Sequence, residues 1–211
     1  MHSDNISTSA GALSPLLPKD SSSRTVLEPG SITWEEFVRD LIPRAESLSA
    51  QHLDEETYVA QIVEQIQQVD LLTIPPWNEL PKHHLWEVTE FWLAEGTGLP
   101  PHDHRYYNGI LFVLKGRVHI RSYDLLGPER MPPPGRRVCI HETGNRVLTM
   151  GACSTLTTAR DNIHAVYGGP GGCRLLDLFT WLGPYPKSVY VEVDAHPIEP
   201  GTAMYWASFL G

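Results

Sequence analysis

The sequence predicts a small, mainly β barrel preceded by two short helices. Three observations predict it. Short runs of β-branched and aromatic residues recur at about ten-residue spacing after Trp86, the pattern of antiparallel sandwiches and barrels. Turn-forming stretches separate those runs, in a chain of 211 residues with Gly 17 and Pro 18. Helical periodicity is confined to the region before Pro75-Pro76.

Taken in order, residues 1–30 are rich in Ser, Thr, Pro and Gly and read as a flexible tail. Residues 31–72 read as helices packing on the barrel. Thr33-Trp34-Glu35-Glu36 fits a capping box, and Trp34, Phe37, Val38, Leu41 and Ile42 follow at helical spacing. Pro43 predicts a kink or restart. Asp54 can cap a second helix, with Tyr58, Ile62, Val63 and Ile66 on one face. Residues 73–211 read as the barrel. Trp86–Trp92 reads as a strand, and Ile110–Asp124 as two strands broken at Lys115-Gly116. Val138–Ile140, Val147–Met150, Arg174–Phe179 and Val189–Val193 supply more, with turns at Met131–Gly135, Gly144-Asn145 and Gly168–Gly172.

The formal charge of -9 argues against a nucleic-acid binder or an anionic-membrane binder. No apolar run approaches the roughly 20 residues of a membrane span. Cys139, Cys153 and Cys173 cannot form a complete disulfide framework, so a reducing, cytoplasmic setting is expected. The size is compatible with a monomer or a dimer.

The chemistry gathers at His102-Asp103-His104. In an extended strand alternate side chains share a face, so the two imidazoles can point together while Asp103 points away. Two imidazoles on a rigid strand make two-thirds of a facial metal site. The stretch from Gly96 through the histidine pair to Gly116 resembles the first cupin motif, with one departure. Asn108 and Gly109 stand where that motif carries its glutamate. Asp161-Asn162-Ile163-His164 lies where the second cupin motif places its histidine. The resemblance therefore implies a cupin (a double-stranded β-helix, or jelly-roll barrel) holding a metal with His102, His104 and His164.

Losing the carboxylate has a consequence. Three neutral imidazoles leave a divalent iron its full positive charge, which favours an anionic soft ligand such as a thiolate. Open coordination positions can bring O2 beside that sulfur. Zinc fits the same ligands but is redox-inert, and donor type alone leaves Zn, Ni, Cu and Mn open.

The chain is similar to the thiol dioxygenases, in particular the branch of cysteamine dioxygenase and the plant cysteine oxidases. The residues that carry the likeness are His102-Asp103-His104, Gly116, Val118–Asp124, Ala152–Thr155, Asn162-Ile163-His164, and Leu176-Asp177 with Gly183-Pro184-Tyr185. The resemblance implies Fe(II) on the three histidines, O2 as co-substrate and a small-molecule thiol as substrate. It also implies that Asp177 and Tyr185 lie near the iron, Asp177 by fixing a ligand tautomer and Tyr185 by donating a hydrogen bond. Tyr106, Tyr107 and Asn108 follow the histidine pair and are candidates for the pocket mouth. Arg105 reads as a solvent-exposed charge, and Cys153 and Cys173 as inert buried thiols.

Departures narrow the substrate. The segment between Asp177 and Tyr185 is two residues longer than in that branch, which weakens the Tyr185 match. Gly109 replaces the cysteine that free-cysteine dioxygenases crosslink to a tyrosine, and their carboxylate-binding arginine has no counterpart here. These features point to an amine thiol or an N-terminal cysteine rather than free cysteine. Two other readings compete: a metal-dependent cupin oxygenase with a non-thiol substrate, and a non-catalytic cupin that binds a small molecule.

Overall fold

The computed structural model describes residues 31–127, 132–183 and 188–210. The expected tail, Met131 and Tyr185 lie outside them. Helix α1 spans Trp34–Ser49 and opens on the predicted capping box, in which the Thr33 hydroxyl accepts from the Glu36 amide and the Glu36 carboxylate accepts from the Thr33 amide. It continues through Pro43 as one helix rather than restarting there. Pro43 withholds an amide only from the Arg39 carbonyl, and the Ser47 hydroxyl donates to the Pro43 carbonyl at 2.9 Å. Helix α2 spans Glu55–Ile66, capped by Asp54.

Eight strands follow among the described residues: β1 (Trp86–Leu93), β2 (Gly98–Asp103), β3 (Tyr107–Leu125), β4 (Arg137–Thr149), β5 (Cys153–Leu156), β6 (Ile163–Trp181), β7 (Val191–Val193) and β8 (Met204–Phe209). They form one antiparallel sheet ordered β1-β6-β3-β4-β8-β7, with β2 added to β6 and β5 to β3. Its spine is the β3–β6 ladder, which pairs residues from Tyr107↔Trp181 to Tyr123↔Ile163. The expected break at Lys115-Gly116 and the turn at Gly168–Gly172 are bends within these two strands. Gly116 at φ +81 lies so close to the facing strand that a Cβ would sit 2.1 Å from the Gly172 carbonyl oxygen, a place only glycine can occupy. The sheet folds over at these bends, as a jelly-roll barrel requires. Gly144-Asn145 is likewise strand, with the irregularity taken as a register shift beside Ser122 and Tyr123.

Strand parity sorts the core. Ile110, Phe112, Leu176 and Leu178 face the helices and pack with Phe37, Leu41, Tyr58 and Ile62. Leu111, Val113, Ile120, Val166 and Leu175 fill the barrel. A third cluster, with Tyr123, Ile163, Val191 and Phe209, lies beneath β4, β7 and β8. Among the described residues no helix is long and apolar enough to cross a membrane. All three cysteines are free, and burial pushes the Cys153 thiol up to about 12, as an inert side chain requires.

Candidate metal centre

The end of β2 and the start of β6 build the site. Strand β2 holds Pro100 and Pro101 in an edge position that tolerates missing donors, and its register with β6 shifts between Leu99 and His102. His102 then pairs directly with His164, so both side chains point to one face. His104 follows just past the strand, its amide donating to the Asn162 carbonyl at 2.8 Å. The expected alternation holds: the His102 and His104 ring centroids are 5.0 Å apart, and each lies 4.6 Å from that of His164.

The ring nitrogens converge. His164 Nε2 lies 3.1 Å from Nε2 of His102 and 3.1 Å from Nε2 of His104. Among the described residues these three form the one group of His, Cys, Asp or Glu spaced to hold an ion, and it contains no carboxylate. All three are held below the ordinary histidine range. Burial is the main cause for each; for His104 and His164 neighbouring rings add to it. They are therefore neutral donors near pH 7, the form a metal needs. The His102 Nδ1 atom sits 2.9 Å from the Pro100 carbonyl oxygen, which fixes its proton there and turns a lone pair outward on Nε2. Edges of 3.1 Å are the spacing at which nitrogens about 2.1 Å from one ion meet it at roughly right angles. The donor set fits a divalent transition metal.

Packing orients His104, whose Nδ1 is buried without a partner. The Tyr107 ring centroid lies 4.6 Å away and that of Phe179 6.1 Å away. The Tyr107 hydroxyl bonds that of Ser188, and its ring also meets Trp181. Directly opposite His164 stands Ser122, also buried.

Other expected site residues divide. Tyr107 is in the aromatic wall. Tyr106 lays its ring against Gly183, and its carbonyl accepts from the Leu182 amide at 2.7 Å. Asn108 has the opposite parity: it pairs with Thr180, whose hydroxyl bonds Tyr58 of α2 at 2.7 Å, and so faces the helices with its buried amide unpartnered. The one-residue offset from Tyr107 takes it out of the barrel. Asp177 does face the interior, opposite Leu111 and Thr89, with burial raising its carboxyl to about 8. It makes no hydrogen bond to a histidine, and the carbonyl of Pro100 does the tautomer-fixing expected of it. Arg105 is not a free surface charge but is paired with Asp103. Sequence reading missed Ser122, Ser188 and Tyr190. Strand alternation from His119 and from Val189 was the available signal for Ser122 and Tyr190; none marked Ser188.

Solved structures similar to the chain include an RmlC-like cupin from Shewanella frigidimarina (21% identity, TM-score 0.33, 47% of this chain and 68% of that one). Others are a cupin superfamily protein from Desulfitobacterium hafniense (13%, 0.35, 54% and 87%) and an 11S globulin from Wrightia tinctoria (12%, 0.37, 50% and 22%). The chain thus spans about a fifth of the globulin's length. Comparison with curated proteins finds no match. The model of the PCO_ADO family matches residues 47–193, a span that holds all three histidines and more than half of the chain. The protein belongs to the plant cysteine oxidase/cysteamine dioxygenase family.

Proposed function

We propose that the protein is a non-haem Fe(II) thiol dioxygenase that adds both atoms of O2 to the sulfur of a small thiol, giving a sulfinate. The balance is RSH + O2 → RSO2H: two S–O bonds form, the O–O bond breaks, and sulfur loses the four electrons that oxygen gains. The carrying observation is the set of three neutral, buried imidazoles converging at 3.1 Å without a carboxylate.

Bound iron would supply the site where thiolate and O2 meet. His102, His104 and His164 would hold the ion, with the Pro100 carbonyl locking the His102 tautomer. Keeping a neutral donor set leaves the positive charge to favour ionisation of the thiol near neutral pH. Tyr107 and Phe179 line one side of His104 with apolar rings, Trp181 packing behind Tyr107, and a low-polarity wall would strengthen electrostatic attraction within the site. Asp177, neutral at pH 7 because burial raises it, would offer an O–H to a polar atom inside the barrel without adding a second negative charge beside the thiolate. An amine thiol or an N-terminal cysteine suits the site better than free cysteine, and the setting would be cytoplasmic, as monomer or dimer.

The test is metal analysis followed by aerobic turnover of the iron-loaded protein with cysteamine, 3-mercaptopropionate, cysteine and a Cys-initiated peptide. At least one product should gain two oxygen atoms by mass. No oxidation of any of them with iron in place overturns the reading.

A further inference from the structure

Asp103 stands between two of the histidines yet faces the third apolar cluster, paired with Ile163 on the opposite side of the sheet from His164. Its buried carboxylate accepts the Val189 amide at 2.7 Å and pairs with the Arg105 guanidinium, which lies 4.9 Å from the centre of the Phe209 ring. Its own amide donates to the Val189 carbonyl at 3.0 Å, and the neighbouring His102 forms a β-bridge with Tyr190. Residues 188–190 are thereby fastened to the strand that carries the histidines.

Two side chains of that segment reach back to the site. The Tyr190 ring stands edge-on to His102, with centroids 6.3 Å apart, and is half exposed. The Ser188 hydroxyl bonds Tyr107, the aromatic neighbour of His104. The three histidines are unequally exposed as residues: His102 is 8% exposed, His164 4% and His104 2%. The most exposed of the three residues, His102, is the one beside which Tyr190 stands.

We propose that residues 188–190 form the solvent-side wall of the substrate pocket, with Tyr190 limiting the size of the group attached to the reacting sulfur and Asp103 as the positioning residue that pins the wall. The inference rests on the thiol reading above and adds to it a specificity determinant. Removing the Asp103 charge leaves the Arg105 guanidinium without its buried partner and weakens the Val189 bond, so the wall loosens although the histidines remain.

The experiment compares cysteamine with a Cys-initiated tetrapeptide in the iron-loaded wild type, Tyr190→Ala, Tyr190→Phe and Asp103→Asn. The readout is the ratio of kcat/KM for the large thiol to that for the small one. It should rise about tenfold in Tyr190→Ala, the scale of a steric change in a pocket, stay near the wild-type ratio in Tyr190→Phe, and rise in part, through KM, in Asp103→Asn. Arg105→Met, which retains the acceptor for Val189, should move the ratio less than Asp103→Asn does. A ratio in Tyr190→Ala equal to that of wild type overturns the wall, and one in Asp103→Asn equal to that of wild type overturns the positioning role. If wild type oxidises neither thiol, the thiol reading has failed instead. The wall is then judged on the Co(II)-substituted proteins by their affinities for imidazole and 4-phenylimidazole, whose ratio should shift in the same direction in Tyr190→Ala.

Discussion

The two faces of one strand pair carry different work in this protein. On the barrel side of β3 and β6 stand Tyr107, Ser122, His164, Asp177 and Phe179; on the helix side stand Asn108, Ile110, Leu178 and Thr180. Tyr107 and Asn108 are neighbours in the chain and both buried, yet one touches a candidate metal ligand and the other lies under α2. The same division separates His102 and His104 from Asp103. Chemistry follows one parity and fastening the other, because a pleated strand sends successive side chains to opposite sides. A substitution on the barrel face should therefore disturb metal or charge, whereas one on the outer face should disturb stability or the fastening of neighbouring segments and leave metal binding in place.

The sharpest break in that comparison is His164→Ala. It removes the nitrogen that both other rings approach. Iron affinity should fall by well over the roughly hundredfold typical of losing a mere partner of a ligand, and oxygen uptake with thiol should vanish. Metal content after dialysis, read beside the far-ultraviolet spectrum, separates this from unfolding. Full iron loading in the variant would remove His164 from the ligand set.

Next in size is Asp177→Asn. In the unfolded chain this carboxyl loses its proton near its ordinary value of 3.8, whereas in the folded barrel it keeps it to about 8. The folded state thus binds more protons between those limits, and Asp177 makes stability fall as pH rises from about 4 to about 8. At pH 7 the difference is about three pH units, each worth about 1.4 kcal/mol, a penalty on the order of 4 kcal/mol. The asparagine variant should lose that slope and gain most at pH 8. Urea denaturation at pH 5 and pH 8 checks it; equal slopes for the two proteins would show that Asp177 does not titrate with folding.

How far the sequence reveals this arrangement depends on whether the deciding contact is local. The capping box at Thr33 and Glu36, the Asp54 cap and the His102/His104 alternation are short-range patterns, and each is where the residues predict it. Gly116 and Gly168–Gly172 look like turns because glycine permits them; that they bend two continuous strands depends on partners fifty or more residues away. Strand β8 has no counterpart in the sequence reading, and its place is set by pairing with β4 and β7. The face taken by Asn108 has the same origin. Proximity to the histidines in sequence is visible, but its face is decided by the register with Thr180. Arg105 reads as a free charge because its partner is two residues away across a change in chain direction.

Asn108→Leu tests the outer face at a smaller scale. Both polar atoms of this amide are buried without a partner, which costs free energy that a side chain of similar shape would not. The variant should be about 1–2 kcal/mol more stable by chemical denaturation, with iron affinity within about twofold of wild type. Loss of metal on this substitution would return Asn108 to the pocket and break the division by parity.

The smallest effect belongs to the contact between the helices and the loop that leads into His164. Glu56 accepts from Arg160 at 3.0 Å and from the Thr157 hydroxyl at 3.0 Å, and Arg160 in turn bonds Asp161 at 2.7 Å. This chain of contacts runs from α2 to a residue three before the ligand, held at φ +53 with its amide on the Asp124 carboxylate. Geometry alone would make it a strut for the metal centre. Exposure argues otherwise: the Glu56 side chain is 56% exposed and that of Arg160 38%, so solvent and salt screen the pair. Glu56→Gln should therefore cost less than about 1 kcal/mol, and less still in high salt. The same pair holds the Glu56 carboxyl below its ordinary range, so the contribution is present at neutral pH and fades as acid protonates the group. Thermal denaturation of wild type and Glu56→Gln at low and high salt measures it. A loss several times larger, together with weakened iron binding, would show that the outer face reaches the metal through this loop after all.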